Sequence, residues 1–358
     1  MTTAKIPITL TAHPRPRPRD EDLVFGRHFT DHMFLMQWDT GRGWHDPRVV
    51  PYGPLSLDPS AAVLHYSQEI FEGLKAYRSP RDTALLFRPT KNAERMNRSA
   101  RRMCMPPLDE AMFVEAIRTL VSTDRAWLPR LPGTSLYIRP AMIGTEAFLG
   151  VRPAHSYLFF VILCPVGAYY AEGFNPVKIL VADEYVRAVK GGTGAAKTGG
   201  NYAASLAAGE DAHRHGCAQV LYLDGVERRY IEEVGSMNIA FMIDGTLVTP
   251  PLTGSILDGV TRDTVLQIAR DWRVPVAQRP ITVDEIISGA QNGRLTEAFG
   301  TGTAAVISPV SEFVFKGESV RIGNGGVGQL AQRLFDHISA IQRGLAPDPH
   351  GWVMEVDG

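Results

Sequence analysis

The distribution of apolar and polar residues changes period several times along the chain, and each change predicts an element. Over 61–89, short apolar runs alternate with glycine and proline, AVLHYSQEIFEGLKAYRSP and then ALLFRP, a pattern that predicts strands joined by turns. The next segments have a helical period: 92–103 is rich in arginine and alanine, and 110–122 places Phe113, Ile117 and Leu120 on one stripe. SLYIRPAMIG (135–144) and SYLFFVILCPVG (156–167) predict two further strands, the second apolar on both faces and therefore central in its sheet. A loop-like stretch, AYYAEGFNP, leads into a second set of strands at 177–183, 219–225 and 237–245. Helices are predicted over 202–214, over 262–272 with Val265, Ile268 and Trp272 on one stripe, and over 327–343 with Leu330, Leu334, Ile338 and Ile341. There is no internal repeat and no heptad run long enough for a coiled coil.

This order predicts two domains, as does a length of 358 residues, beyond the size at which single cores stop growing. The expected division is an N-terminal tail over 1–22, a smaller α+β domain over 23–167, an interdomain loop over 168–176 and a larger domain over 177–358. Alternating prolines and arginines from Pro14 to Arg19, followed at once by Asp20, Glu21 and Asp22, predict that the tail is mobile and solvated.

Charge and cysteine content narrow the partners. A net charge of −1, from 37 basic and 38 acidic residues with no long run of one sign, gives no footprint for nucleic acid or an anionic membrane, and a small-molecule partner is expected. The N-terminus lacks an apolar secretion segment and no apolar run approaches the roughly 20 residues of a membrane span, so the expected location is cytoplasmic. Cys104, Cys164 and Cys217 are odd in number and far apart, which predicts buried reduced thiols rather than disulfides or a metal site.

The densest chemical signal is GGTGAAKTGGNYAASL (191–206), a lysine framed by glycine pairs ahead of a helix. Three readings compete. Gly191 to Thr198 fits a phosphate-binding loop except that Ala196 stands where a glycine is required, and no clear partner strand ending in aspartate follows. A plain glycine-rich surface loop is the second reading. The third is a lysine that forms a Schiff base. The chain has only seven lysines, and an amine can condense with an aldehyde where a guanidinium cannot. A pyridoxal cofactor would also need an acid for its ring nitrogen, a donor for its phenolate and a cationic or helix-N-terminal cradle for its phosphate.

At this point several separate blocks resemble one family. VFGRHFTDHMF (24–34), HYSQEIFEGLKAYR (65–78), ERMNRSARR (94–102), GTSLYIRP (133–140), FFVILCPVGAYY (159–170), AKTGGNYAASL (196–206), EEVGSMN (232–238), TPPLTGSILDGVTRD (249–263) and FGTGTAAVI (299–307) are similar to branched-chain amino acid aminotransferases of fold type IV. The resemblance implies a two-domain fold related to D-amino acid aminotransferase, with a smaller N-terminal α/β domain and a larger C-terminal pseudo-barrel domain. It implies pyridoxal 5′-phosphate as cofactor and reversible, ping-pong transfer of the amino group of leucine, isoleucine or valine to 2-oxoglutarate. It also implies a homodimer whose partner subunit completes the site.

The same resemblance assigns roles to matched positions. Lys197 would carry the cofactor and act as general base and then acid. Glu233 would meet the pyridine nitrogen, Tyr202 the phenolate oxygen, and Arg95, Val260, Thr261 and Thr303 the phosphate. Phe25, Tyr66, Phe71 and Tyr137 would wall an apolar pocket for the branched side chain. Arg139, two residues beyond Tyr137 and on the same strand face, would pair with the side-chain carboxylate of glutamate, and Ser236, Ala304 and Ala305 would hold the α-carboxylate.

Two departures from the family pattern stand out: TAAVIS replaces the thiol pair that animal members carry after the GTA segment, and Thr198 follows the lysine where an apolar residue is common, with an expected effect on packing. The competitors are a D-amino acid aminotransferase or a pyridoxal-dependent lyase of the same fold, and, from another class, a nucleotide-binding protein. GNGGVG (323–328) is expected to be a turn, since too few residues follow it for a dinucleotide fold; Asn97 lies in a predicted helix rather than a glycosylation loop; and His28 and His32 lack a third metal ligand, so no metal is expected.

Overall fold

The computed structural model describes residues 6–167 and 174–356, and packing divides the chain into two compact units. One comprises Met1–Tyr169, Ala196–Gly199 and Ala340–Gly358; the other comprises Tyr170–Ala195 and Gly200–Ser339. The expected boundaries at 167 and 177 do not account for Ala196–Gly199 or Ala340–Gly358, which pack with the first unit. Most of the expected interdomain loop, 168–173, lies outside the described residues, as do 1–5 of the tail.

The first unit contains strands β1 (His32–Asp39), β2 (Gly43–Pro51), β3 (Glu69–Phe71), β4 (Leu74–Arg78), β5 (Ala84–Phe87), β6 (Ser135–Gly144) and β7 (Ser156–Val166), with helices α1 (Ala62–Tyr66), α2 (Pro89–Arg102) and α3 (Glu110–Thr123). The strands form an antiparallel sheet in the order β5-β4-β6-β7-β1-β2, with β3 against β6. β7 is central, as its two apolar faces predict. The first part of 61–89 is a short helix rather than a strand; only Ala62 of α1 is buried, so the segment has no inward face for a sheet to cover.

Helix α2 starts with proline at its first turn, where the missing N–H costs nothing. Helix α3 starts where the Asp109 side chain accepts the Met112 N–H at 2.9 Å. Phe34, Phe113 and Phe159, all fully buried, form the centre of the core between these helices and the sheet. Strand alternation places Leu74, Ala76, Leu136 and Ile138 in that core and turns Lys75, Tyr77, Tyr137 and Arg139 to the other face. Asn97 is also structural: it is buried and clamps Leu108 through both backbone groups at 2.8 and 2.9 Å.

The N-terminal segment departs from the expected solvated tail. Ile6 is buried, Ile8 pairs with Val49, Arg17 donates to the Ala126 carbonyl at 2.5 Å, and Asp20 accepts from the amides of Arg130 and Leu131 at 2.6 and 3.0 Å. His32 is buried with Nδ1 2.6 Å from Asp124, and its Nε2 accepts the Thr11 N–H at 2.9 Å. Prolines keep this arm extended, which leaves its carboxylates and guanidinium groups to find backbone partners.

The second unit contains β8 (Val177–Val181), α4 (Gly199–Ala203), α5 (Leu206–Arg214), β9 (Gln219–Leu223), β10 (Ile231–Val234), β11 (Met237–Ile243), β12 (Thr246–Thr249), α6 (Val260–Asp271), β13 (Val276–Gln278), α7 (Val283–Gln291), β14 (Leu295–Gly302), β15 (Val306–Phe315), β16 (Glu318–Arg321) and most of α8 (Gln329–Gln342). Strands β10-β9-β8-β15-β14-β11 run in order and β11 pairs back to β10, closing a six-stranded barrel around Leu221, Ile231, Phe241 and Phe313. After α8, β17 (Val353–Val356) pairs with β5 of the first sheet.

The single helix expected over 202–214 is interrupted, because Ser205 Oγ donates to the Tyr202 carbonyl at 2.6 Å and competes with the helical ladder. Helix α7 was not anticipated, although Thr282 accepting from the Glu285 N–H at 3.1 Å is a readable start signal. GNGGVG is the turn before α8, with Gly323 and Gly325 at positive φ. All three cysteines are free, but Cys104 is exposed rather than buried, in the turn that ends α2. Among the described residues no helix is long and apolar enough to cross a membrane, and no group of three or more His, Cys, Asp or Glu side chains could hold a metal ion.

Deleting residues 1–22 is expected to destabilise the first unit rather than leave it unchanged. Exposing the Ile6 site alone removes burial worth on the order of 2 kcal/mol, so thermal unfolding should begin several degrees lower; an unchanged melting curve would mean the arm contributes nothing.

Candidate active site

In the first unit, Lys197 is fixed through its backbone. Its N–H donates to Ser99 Oγ at 2.9 Å and its carbonyl accepts the Phe71 N–H at 3.0 Å. Thr198, whose role the sequence left open, donates its hydroxyl to the Glu69 carbonyl at 2.7 Å, and the Gly199 N–H reaches the Glu69 carboxylate. A Cβ at Gly199 would displace the Glu69 carboxylate that the Gly199 N–H holds.

Beneath this loop, α2 presents Asn92, Arg95 and Ser99 on one stripe, at helical spacings of three and four. Glu72, 0% exposed, receives Arg95 Nε at 2.7 Å, Arg95 Nη2 at 2.8 Å and Asn92 Nδ2 at 2.8 Å. Burial pushes the Glu72 carboxyl up, but the Arg95 guanidinium, then Lys197 and Asn92, outweigh it and hold it below the ordinary carboxylate range. Arg95, expected to hold a phosphate, thus has Nε and Nη2 engaged by an internal carboxylate. Glu72 was missed in the sequence, where the FEG triplet looked like a strand turn.

The amine of Lys197 lies 4.8 Å from the centre of the Phe71 ring, and the guanidinium carbon of Arg139 lies 4.7 Å from that same ring centre. Arg139 Nη2 donates to the Tyr137 hydroxyl at 3.1 Å, and Phe25 packs edge-on against Tyr137 at 4.9 Å. A Cβ at Gly73 would lie 2.1 Å from the Tyr137 hydroxyl oxygen, which sets the need for glycine there. Phe25, Phe71, Tyr137 and Arg139 are therefore one connected set. Tyr66 is not joined to it by a described ring contact; its hydroxyl donates to the Leu149 carbonyl and its ring is exposed. Lys75, opposite Tyr137 in the β4–β6 ladder, is a buried neighbour whose amine is lowered to about 7 by burial and then by the Arg343 guanidinium.

In the second unit, Glu233 lies on β10 opposite Asn238 of β11, and its side chain is 4% exposed. Oε1 accepts from Asn238 Nδ2 at 3.1 Å, and Oε2 accepts from the Leu257 N–H at 3.3 Å and from Arg187, a buried guanidinium the sequence reading missed. Val260 and Thr261 open α6 behind Gly259, which contributes no side-chain cap, so the N-terminal amides of the helix form a ready anion cradle. A Cβ at Gly259 would displace the Asn238 carboxamide, whose Nδ2 donates to Glu233 and to the Leu257 carbonyl.

Thr303, Ala304 and Ala305 form the turn between β14 and β15, closed by Val306 at φ 63°, a strained conformation for a β-branched residue. Ser236 is exposed in the β10–β11 turn, and Tyr202 is half-buried in α4.

Comparison with known proteins accounts for these groups. A model of the amino-transferase class IV family matches residues 69–313. The chain is 54% identical over 356 residues to branched-chain-amino-acid aminotransferase 2 of Bacillus subtilis, covering 99% of this chain and 98% of that one. It is 50% identical over 367 residues to the branched-chain-amino-acid aminotransferase of Mycobacterium tuberculosis, covering 99% and 100%. Among solved structures it resembles the branched-chain amino acid aminotransferase of Escherichia coli, with TM-score 0.74, 27% identity and coverage of 92% and 99%. It also resembles the T.th. branched-chain amino acid aminotransferase with pyridoxamine 5′-phosphate, with TM-score 0.74, 29% identity and coverage of 90% and 98%. The chain belongs to the class IV aminotransferases and, within them, to the branched-chain-amino-acid aminotransferase family.

Class IV aminotransferases use pyridoxal 5′-phosphate, and the residues present suit it: an amine on a fixed backbone, a buried carboxylate paired with a guanidinium, and a helix N-terminus with no side-chain cap.

Replacing Glu72 by glutamine is expected to destabilise the first unit by about 3–5 kcal/mol, because it leaves the Arg95 charge buried without its anion. The Glu72 carboxyl is lower when folded than when unfolded, so its contribution is complete above the unfolded carboxylate range and is lost as pH falls through the folded value. Glu72→Gln should therefore flatten the acid limb of the stability profile, measured by thermal melting from pH 7 to pH 3; an acid limb as steep as wild type would rule this out.

Proposed function

We propose that the chain is a branched-chain amino acid transaminase that moves the amino group of leucine, isoleucine or valine to 2-oxoglutarate, giving the 2-oxo acid and glutamate, with pyridoxal 5′-phosphate held by Lys197. The observation that carries this reading is the Phe71 ring, which has the Lys197 amine 4.8 Å and the Arg139 guanidinium 4.7 Å from its centre. The family identity along the whole chain supports it.

The cofactor supplies an aldehyde that condenses with amines and a ring that accepts the electron pair released at the substrate Cα. Lys197 Nζ takes the proton from Cα and holds it for redelivery. Glu233 would meet the ring nitrogen and Tyr202 the phenolate oxygen. Arg95, the amides of Val260 and Thr261, and Thr303 would receive the phosphate. Ser236, Ala304 and Ala305 orient the α-carboxylate.

Phe25, Phe71 and Tyr137 exclude water around a branched aliphatic side chain. Arg139 on the rim of the same set takes the second carboxylate of glutamate, so one pocket serves both half-reactions. The enzyme acts in the cytoplasm as a homodimer whose partner completes the site. The exposed side chains of Leu64, Tyr66, Phe148, Leu149 and Val151, close in the fold through the Tyr66–Leu149 and Ala61–Ala147 contacts, support such an interface.

Lys197→Ala should lack the yellow chromophore that borohydride fixes to the wild-type protein, and should show no transamination; a variant that keeps both refutes the assignment. In single-turnover measurements Arg139→Ala should weaken the glutamate half-reaction by about 10- to 100-fold, the worth of a charged hydrogen bond, and the leucine half-reaction by about threefold or less. Equal losses would remove Arg139 from the recognition of glutamate.

A further inference from the structure

We propose that Arg187 is a positioning residue that keeps Glu233 anionic, so that the proton shared between this carboxylate and the cofactor's ring nitrogen resides on the nitrogen. The inference rests on the reading that Glu233 meets that nitrogen. Its basis is the arrangement around one guanidinium. The Arg187 side chain is 8% exposed and pairs with Glu233 Oε2, while Nη2 also donates to the Gly194 carbonyl at 3.1 Å and to the Ser255 carbonyl at 3.0 Å.

Arg187 therefore joins three segments of the second unit: the glycine-rich loop, strand β10 and the loop that leads into α6. Gly194 makes this possible, because a Cβ there would lie 2.1 Å from the Ser255 carbonyl oxygen and would force the two loops apart. Asn238 Nδ2 and the Leu257 N–H also donate to the carboxylate. Arg262 adds a second buried positive charge to the surroundings of Glu233, with its Nη2 held by the Pro250 carbonyl at 2.9 Å and Gln278 Oε1 at 2.8 Å.

The charge argument is direct. A carboxyl group facing a pyridine-type nitrogen can exist as a neutral acid donating to nitrogen or as a carboxylate accepting from a protonated nitrogen. Burial favours the neutral pair, because it carries no separated charge. A guanidinium locked on the same carboxylate favours the anion, and that sends the proton to the ring, where it is needed for the ring to accept electrons. Arg187 itself neither gives nor takes a proton.

The test is ¹⁵N NMR of the holoenzyme loaded with pyridoxal phosphate labelled at the ring nitrogen, together with steady-state kinetics. Wild type and Arg187→Lys should give a resonance in the protonated range, whereas Arg187→Met should move it toward the unprotonated range. In Arg187→Met kcat should fall by about 10- to 100-fold, a loss typical of an outer-shell partner, with KM for leucine changed by about threefold or less. An unmoved resonance with wild-type kcat in Arg187→Met overturns the proposal. Should Arg187→Met fail to fold by circular dichroism, Arg187→Gln, uncharged and still able to donate to Gly194 and Ser255, makes the same reading. Glu233→Gln separates the two inferences: if it leaves the resonance unmoved, Glu233 does not meet the nitrogen, whereas a shift in Glu233→Gln with none in Arg187→Met refutes only the role of Arg187.

Discussion

A buried carboxylate is costly unless a cation and hydrogen bonds hold it, and both units are organised around that constraint. In the first, Glu72 is enclosed by Arg95, Asn92 and the Gly73 N–H; in the second, Glu233 is enclosed by Arg187, Asn238 and the Leu257 N–H. Each pair joins elements far apart in the chain, α2 to the segment after β3, and β10 to the loop between β8 and α4. Such pairs contribute little net stability compared with apolar residues of the same volume, so their value here is orientation. Removing either partner leaves a bare charge in a dry interior, which ties the geometry of the chemical groups to the integrity of the fold.

The crossover between the parallel strands β8 and β9 solves a second problem. Parallel neighbours require a long connection, and this one carries the glycine-rich loop, Lys197 and the two short helices α4 and α5. A long connection has the freedom to present an amine, and also the freedom to misplace it. Hydrogen bonds at both backbone groups of Lys197, at the Thr198 hydroxyl and at the Gly199 amide remove that freedom without touching the amine itself. The glycines serve close approach: Gly194 against Ser255, Gly199 against Glu69 and Gly259 against Asn238. The positive φ of Val306 beside the Thr303–Ala305 turn shows that the barrel tolerates backbone strain at this turn.

Arg139 illustrates how a strand face combines apolar surface and charge. Its guanidinium lies against Phe71 and reaches the Tyr137 hydroxyl, so a half-buried cation is held over apolar surface. That placement lets apolar rings and a cation share one strand face.

Much of this was legible in the sequence. The strands at 135–144 and 156–167 and the helices α2, α3, α6 and α8 follow from hydrophobic period, and Lys197 and Glu233 were singled out by glycine spacing and family resemblance, all of which are local or collinear signals. The short helix α1, the break at Ser205 and helix α7 depend on single side-chain caps or on burial that periodicity averages away. The N-terminal arm was misjudged because composition reports what proline and charge do in water, whereas Asp20 and Arg17 are satisfied by backbone groups more than 100 positions away. Glu72 and Arg187 could not be recognised for the same reason: an acid or an arginine in a strand or loop looks solvated until a partner distant in sequence is known. The sequence alone determined the periodic elements and the family; only the tertiary structure decided which charges are buried together, because pairing across the chain is a property of packing and not of residue order.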